Sequence, residues 1–355
     1  MRVLIVDDSA FMRKALTQIV QGDPSFEVVG VAHNGKVAVE KALSLKPDII
    51  TLDIEMPEMD GMAALRAILS QCPDPKPAVV MCSSLTQEGS ATSLQALRLG
   101  AADVIGKPSG SVSLDINNVA GDLLAKLRAI CQSRAMRIAH ALRPEPAPAV
   151  PRRVELPSVG SLDAILIGSS TGGPPVVEEV LTRLPPGLPP IVIAQHMPRL
   201  FTQSMAERLT MQCGYRVHHL TAPSIVRRGE AYICEGGRHV RLTKGGGEVR
   251  AVLTDDPKDA LYKPCVNVLF SSAANCLGGR CLAIVLTGMG DDGAEGAREL
   301  RAAGAMILAQ NQATCVVYGM PRAVVQQGLA SAAMTPGEVR SAIVSLAASS
   351  DKQSA

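Results

Sequence analysis

Ser170, His196 and Asp292 are the residue types of a nucleophilic hydrolase, and each stands just past an apolar, strand-like run. The runs are Asp163-Ala164-Ile165-Leu166-Ile167-Gly168, Ile191-Val192-Ile193-Ala194 and Ala283-Ile284-Val285-Leu286. In open α/β sheets, ligands bind in the crevice outside the carboxyl ends of the strands, so residues in these positions can meet there despite their separation. A serine hydroxyl needs a base to become a useful nucleophile, and His196 can serve. An aspartate then orients the imidazole and stabilises the imidazolium that forms. Spacing alone does not separate Asp292 from its neighbour Asp291. Both lie in Leu286-Thr287-Gly288-Met289-Gly290-Asp291-Asp292-Gly293, whose glycines leave amides free to face the crevice; the Met289 amide is the candidate oxyanion donor.

The serine segment, Gly168-Ser169-Ser170-Thr171-Gly172-Gly173, precedes Pro174-Pro175, where proline is well placed to open a helix. A glycine-rich turn after a strand is as often a phosphate cradle as a nucleophile elbow. Here the loop lacks G-x-G-x-x-G, and Ala194-Gln195 stands where a ribose-binding acid belongs. The chain order Ser, His, Asp also differs from the Ser, Asp, His of α/β-hydrolases. His33, His140, His218, His219 and His239 have no comparable setting and read as structural or exposed. No H-E-x-x-H is present, which argues against zinc.

The first half carries a different constellation. Asp7 and Asp8 end an opening strand-like run, Asp53 ends another, Ser83 a third, and Lys107-Pro108 follows a fourth. Carboxylates sharing a crevice raise one another's pKa unless a cation sits among them, and Mg²⁺ suits an oxygen-only site. With Lys107 as a fixed positive charge and the Ser83 hydroxyl as donor, such a group can accept a phosphoryl on a carboxylate. Asp8 or Ser9 can also act as a helix N-cap, whereas Asp53 has no such alternative role.

The elements that must position these residues alternate in type. Strand-like runs at residues 3–6, 28–32, 49–52, 78–82 and 104–105 alternate with helical patterns at 11–20, 37–45, 63–69, 94–99 and 116–138, a (βα)5 order. Continuous apolar strands predict a parallel sheet covered on both faces. Between residues 141 and 157 the texture changes: Pro144, Pro146, Pro148, Pro151 and Pro157 mark an extended linker. Its roughly seventeen residues can reach about 55–60 Å when extended. A second α/β series begins at Asp163, with a hairpin-like interruption expected over residues 232–254 around Gly245-Gly246-Gly247. At 355 residues the chain suits two domains.

Composition excludes several classes. Aromatic residues are 2% and Trp is absent, so stacking platforms for bases are nearly missing; a net charge of +2 gives no field calling for DNA or an anionic membrane. Arg134, Arg137, Arg143, Arg152 and Arg153 read as a solvated helix end and linker rather than a nucleic acid stripe. The nine cysteines form no C-x-x-C pair, which predicts reduced core thiols and a cytoplasmic location. Neither a signal peptide nor a membrane span is expected.

Residues 1–130 resemble a two-component receiver domain, through Asp7-Asp8, Asp53 followed by Met56-Pro57 and Asp60-Gly61, Ser83, and Lys107-Pro108. The resemblance implies that Asp53 is the phosphoacceptor, supported by Ser83 and Lys107. It further implies that Asp7, Asp8, Asp53 and the Glu55 backbone carbonyl hold Mg²⁺, and that a chemotaxis histidine kinase is the donor. One departure is Val104, three before the lysine, where receivers usually carry an aromatic switch residue.

Residues 161–348 resemble the catalytic domain of the chemotaxis receptor methylesterases, through Ser169-Ser170-Thr171-Gly172-Gly173, Gln195-His196-Met197-Pro198 and the Leu286 to Gly293 segment. The whole is similar to the protein-glutamate methylesterase/protein-glutamine glutaminase (CheB-like) family. That implies a flavodoxin-like receiver domain followed by a Rossmann-like, mainly parallel α/β/α catalytic domain, with residues 131–160 as helix end and linker and 349–355 as a frayed tail. Ser170 is then nucleophile, His196 base, Asp292 the orienting acid and Met289 an oxyanion donor, with methyl-accepting chemotaxis receptors as substrate and no cofactor in the catalytic domain. In many members the position of Asp291 is a small neutral residue. Phosphorylation of Asp53 is expected to relieve inhibition by the receiver. The alternatives are a phosphorylation-controlled binding module with an inactive hydrolase-like domain and, more remotely, a DNA-binding regulator, which the absence of a basic recognition stripe disfavours.

Overall fold

The apolar runs of the sequence become strands covered on both faces, as their near-complete burial requires. A computed structural model of the chain describes residues 1–83, 86–107, 113–141 and 162–348, which fall into two compact units, Met1–Ala135 and Met136–Ala355.

The first unit alternates β1 (Arg2–Val6), α1 (Ala10–Gln21), β2 (Glu27–Ala32), α2 (Gly35–Leu45), β3 (Ile49–Asp53), α3 (Gly61–Gln71), β4 (Ala78–Ser83), α4 (Gln87–Leu99), β5 (Asp103–Gly106) and α5 (Ser113–Ala141). Its sheet is parallel with order β2-β1-β3-β4-β5, the flavodoxin-like order. Short polar side chains start the helices: Ser9, Asn34, Asp60 and Thr86 accept amides of the first turns of α1 to α4. This order brings the carboxyl ends of β1 and β3 side by side.

The second half of α5 is docked by cations rather than left wholly solvated. Arg128 pairs with buried Asp23 at 2.6 Å, and Arg134 donates to the carbonyls of Asp48, Pro75 and Lys76. Arg134 therefore departs from the expected solvated helix end, because five guanidinium donors can close several loop carbonyls at once. Pro108, the proline-rich segment 142–157 with its arginines, and the tail 349–355 lie outside the described residues.

The second unit contains β6 (Ala164–Ser169), α6 (Gly173–Leu181), β7 (Ile191–Gln195), α7 (Arg199–Cys213), β8 (Arg216–Leu220), β9 (Ser224–Ile225), β10 (Glu230–Cys234), β11 (His239–Gly245) and β12 (Glu248–Thr254). It continues with α8 (Val266–Leu277), β13 (Cys281–Val285), α9 (Ala294–Ala302), β14 (Met306–Gln310), α10 (Met320–Gln326), β15 (Ala332–Met334) and α11 (Pro336–Ala348). Seven strands form a parallel sheet in the order β15-β14-β13-β6-β7-β10-β8. Strand order reverses at β6, which has β7 on one side and β13 on the other. That switch point opens a crevice where ligands of such sheets bind.

The interruption is a small antiparallel sheet, β11-β12-β9, turned at Gly246 and Gly247, both with positive φ. Tyr232 does not belong to it, contrary to the expectation from sequence. It lies in β10 of the main sheet, whose register with β7 pairs Tyr232 with Val192. The short apolar run around Tyr232 fits a buried parallel strand as well as a hairpin arm, and only pairing decides between them. The nine cysteines are free, and seven are buried.

Candidate active site

Strand register aligns the three residues at the crevice. Ser169 pairs with Gln195 across β6 and β7, and Val285 with Gly168 across β13 and β6, so Ser170, His196 and the loop after β13 emerge together. The backbone continues the pairing one step further: the His196 amide donates to Ser169 O (3.0 Å) and the Ser170 amide to Thr287 O (3.0 Å). Ser170 then sits on a tight turn closed by the Gly173 amide on its own carbonyl. Gly288 is required beside it, because a Cβ there would lie 2.8 Å from Ser170 Cβ and 2.3 Å from Met320 Sδ.

His196 and Asp292 meet across the crevice, Nε2 to Oδ2 at 2.8 Å, with side chains only 6% and 7% exposed. Asp292 is held by more than the imidazole. Its Oδ2 also accepts the Val266 amide (2.7 Å), and its Oδ1 accepts the Asn267 amide (2.9 Å) and the Cys265 thiol (3.1 Å). The carboxylate thus lies at the positive end of the twelve-residue helix α8. Burial opposes its ionisation, yet His196 first, and then the Val266 and Asn267 amides, outweigh burial and keep its pKa below the usual carboxylate value. An ionised Asp292 makes Nε2 the protonated nitrogen of His196, which leaves Nδ1 as the basic one. Nδ1 is buried without a hydrogen-bond partner among the described residues. The Ser170 hydroxyl has none either, and free enzymes often tighten this contact only with substrate present.

The loop from Thr287 to Asp292 is braced from behind. Gln310 Oε1 accepts the Thr287 amide (2.8 Å), the Thr287 hydroxyl donates to Thr171 O (2.9 Å), and Gly288 bridges to Val317 and Met320. Among the described residues the half-buried Met289 amide donates to nothing, so it is available to a ligand. Asp291 is exposed, and its carbonyl serves the first turn of α9.

Sequence reasoning missed four residues that shape this site. Tyr262 stacks on His196, with ring centroids 4.3 Å apart and planes 14° from parallel. Cys265 and Asn267 hold the Asp292 carboxylate, and buried Gln195 donates to Ser170 O at 2.9 Å. Gln195 was visible in the strand-end motif beside His196. Nothing in the spacing pointed to the other three, which reach the crevice from a loop and a helix start.

In the first unit, Asp7, Asp8 and Asp53 bring carboxylate oxygens within 4.8 Å of one another. Lys107 Nζ lies 2.8 Å from Asp7 and 2.6 Å from Asp53. Burial raises the Asp53 pKa above the usual value, and Asp7 and Asp8 add to it, against the pull of Lys107. Gly61 lets α3 start close to the strand, since a Cβ there would lie 2.0 Å from Asp53 O. The Ser83 hydroxyl donates to Gly89 O in α4, and Glu55 is exposed on the loop after β3. Val104 is buried in β5.

The CheB methylesterase family matches residues 165–343 and the response regulator receiver domain residues 3–116. A protein-glutamate methylesterase/protein-glutamine glutaminase of Oleidesulfovibrio alaskensis is 44% identical over 97% of this chain and 98% of its own length. The chain belongs to the CheB methylesterase family. Another CheB relative, from Lawsonia intracellularis, is 43% identical over 93% of this chain and 94% of its own. The crystal structure of the Thermotoga maritima CheB methylesterase catalytic domain is 34% identical, with a TM-score of 0.50 over 52% of this chain and 98% of that one. The receiver followed by a CheB catalytic domain is thus the architecture of this member, and the main sheet of each unit is parallel, as the sequence predicted. No helix among the described residues is long and apolar enough to cross a membrane.

Proposed function

We propose that the chain is a phosphorylation-activated hydrolase of γ-glutamyl methyl esters on methyl-accepting chemotaxis receptors, with glutamine deamidation at the same site. The observation that carries this reading is the buried 2.8 Å contact between His196 Nε2 and Asp292, next to Ser170 at the switch point of the sheet. Ser170 Oγ attacks the ester carbonyl while His196 Nδ1 takes its proton. The oxyanion is held by the Met289 amide, and Asp292 stabilises the imidazolium. The imidazolium then gives its proton to the departing methanol. Water attacks the acyl-enzyme with His196 again as base, which frees the glutamate and restores Ser170. With glutamine, the same intermediate expels ammonia once His196 protonates it.

Asp53 is the proposed phosphoacceptor and a chemotaxis histidine kinase the proposed donor. The oxygen-only set of Asp7, Asp8, Asp53 and the Glu55 carbonyl fits Mg²⁺, which would neutralise charge around the transferred phosphoryl. Lys107, already paired with Asp53 and Asp7, supplies the protein's own cation there. Ser83 is the proposed hydroxyl donor.

The test is methanol release from methylated chemoreceptor membranes, with and without a small phosphodonor plus Mg²⁺, for the native chain, Ser170→Ala and Asp53→Ala. Release that requires Ser170, and that rises with phosphodonor only when Asp53 is present, is the expected result. Release surviving in Ser170→Ala removes the nucleophile assignment, and no release from a folded native chain returns the binding-module reading.

A further inference from the structure

The Asp292 contact fixes one edge of the His196 ring and leaves its tilt about that line undetermined. Among the described residues nothing else hydrogen-bonds the imidazole, since Nδ1 has no partner there. The face of the ring is instead covered by Tyr262, nearly parallel at 4.3 Å. The phenol reaches across toward the oxyanion loop, its hydroxyl 4.0 Å from where a Cβ on Gly290 would lie.

The loop that carries Tyr262 is built to hold it there. His239, fully buried at the start of β11, accepts the Cys265 amide on Nδ1 (3.0 Å) and so donates through Nε2 to Pro257 O (3.1 Å). One side chain thereby closes residues 257–265 into a loop. Lys263 O, next to Tyr262, accepts the Gly237 amide at 3.0 Å, a second tie to the β10–β11 turn. Tyr262 is thus presented from a pinned loop.

We propose that Tyr262 is a positioning residue that fixes the tilt of the His196 imidazole, aims Nδ1 at Ser170 and screens one ring face from water. The proposal rests on the reading of His196 as the base. A stacked aromatic also favours the imidazolium that forms during acylation, as a cation over a ring face is attracted to it. Because only the planar ring is required, the phenol hydroxyl is dispensable.

The experiment compares native chain, Tyr262→Phe, Tyr262→Leu and Tyr262→Met, the last filling the space without a ring. Three quantities are read: kcat and KM for methanol release, the rate of Ser170 phosphonylation by a small fluorophosphonate with loss of fluoride, and the His196 Cε1–H resonance. Phe is expected to stay within about twofold of native, while Leu and Met lose about tenfold to a hundredfold in kcat and in phosphonylation rate with KM held, as expected for a misaimed base. The resonance moves downfield in Leu and Met as the ring current of the stacked aromatic is lost, and stays in place in Phe. Native kcat in a folded Leu or Met variant, or a rise in KM with kcat unchanged, overturns the proposal. A native chain that reacts with the fluorophosphonate but releases no methanol counts against the substrate reading alone, because phosphonylation and the resonance still report on Tyr262.

Discussion

The Asp292 carboxylate accepts the Val266 and Asn267 amides at the start of α8, while the Asn267 side chain accepts the Gly293 (3.0 Å) and Gly296 (2.9 Å) amides at the start of α9. Each residue thus accepts amides at the helix start beside which the other stands. A helix start leaves amides without intrahelical partners, so the exchange satisfies two starts and fixes the carboxylate that faces His196. Asn267→Ala is expected to cost about 1–2 kcal/mol of stability, the usual range for a lost cap, and to lower hydrolysis. Asn267→Asp keeps the acceptor and is expected to keep most of the stability. Equal urea midpoints for the Ala variant and the native chain would show that the cap carries nothing.

Asp53 gives a stability change of unusual sign. Burial, with Asp7 and Asp8 alongside, raises its pKa in the folded chain, so the folded state holds a proton more tightly than the unfolded one. Its charge therefore costs stability at neutral pH, and the cost fades as pH falls toward the folded pKa. Asp53→Asn removes it, and the receiver's melting temperature is expected to rise by a few degrees near neutral pH, about 1 kcal/mol, with the gain shrinking on acidification. Mg²⁺ is expected to raise the native melting temperature more than that of the variant. A variant that melts lower at every pH would contradict the assignment.

His239 predicts an acid limb to stability in the second unit. Burial lowers its pKa from 6.5, so the folded chain prefers the neutral ring, whose Nδ1 accepts the Cys265 amide. The contribution is fully present above about 6.5 and is lost as pH falls from there through the folded pKa, because the unfolded chain takes up the proton first. His239→Gln can keep both hydrogen bonds without titrating. Denaturant midpoints between about pH 5 and 7 are expected to slope less steeply for the variant than for the native chain, the remainder coming from His219, whose pKa burial also lowers; parallel slopes would place the titration elsewhere.

Two α/β units were legible in the sequence because a parallel strand buried on both faces is written as a short continuous apolar run, as at residues 164–167, 191–194 and 282–285. The run at residues 231–234 is equally apolar, yet from sequence Tyr232 reads as the start of the hairpin, since periodicity describes burial and says nothing about which strand lies alongside. Arg134 was misplaced for a related reason: a long cation looks solvated in sequence whether or not loop carbonyls await it.

The same division runs through the site. Ser170, His196 and the adjacent pair Asp291 and Asp292 stood out because each follows a strand end, a position defined along the chain. The residues that support them did not, because Cys265 and Asn267 at Asp292, Tyr262 on His196, and His239 behind Cys265 come from a helix start, a loop and a hairpin that only tertiary packing brings together. Sequence determined which elements form and which side chains stand at their ends, since burial and capping are local needs. Only the tertiary structure decided which of two adjacent carboxylates turns inward to His196, which ring nitrogen is left basic, and which aromatic face covers it. Those outcomes depend on groups far apart in sequence competing for the same few ångströms.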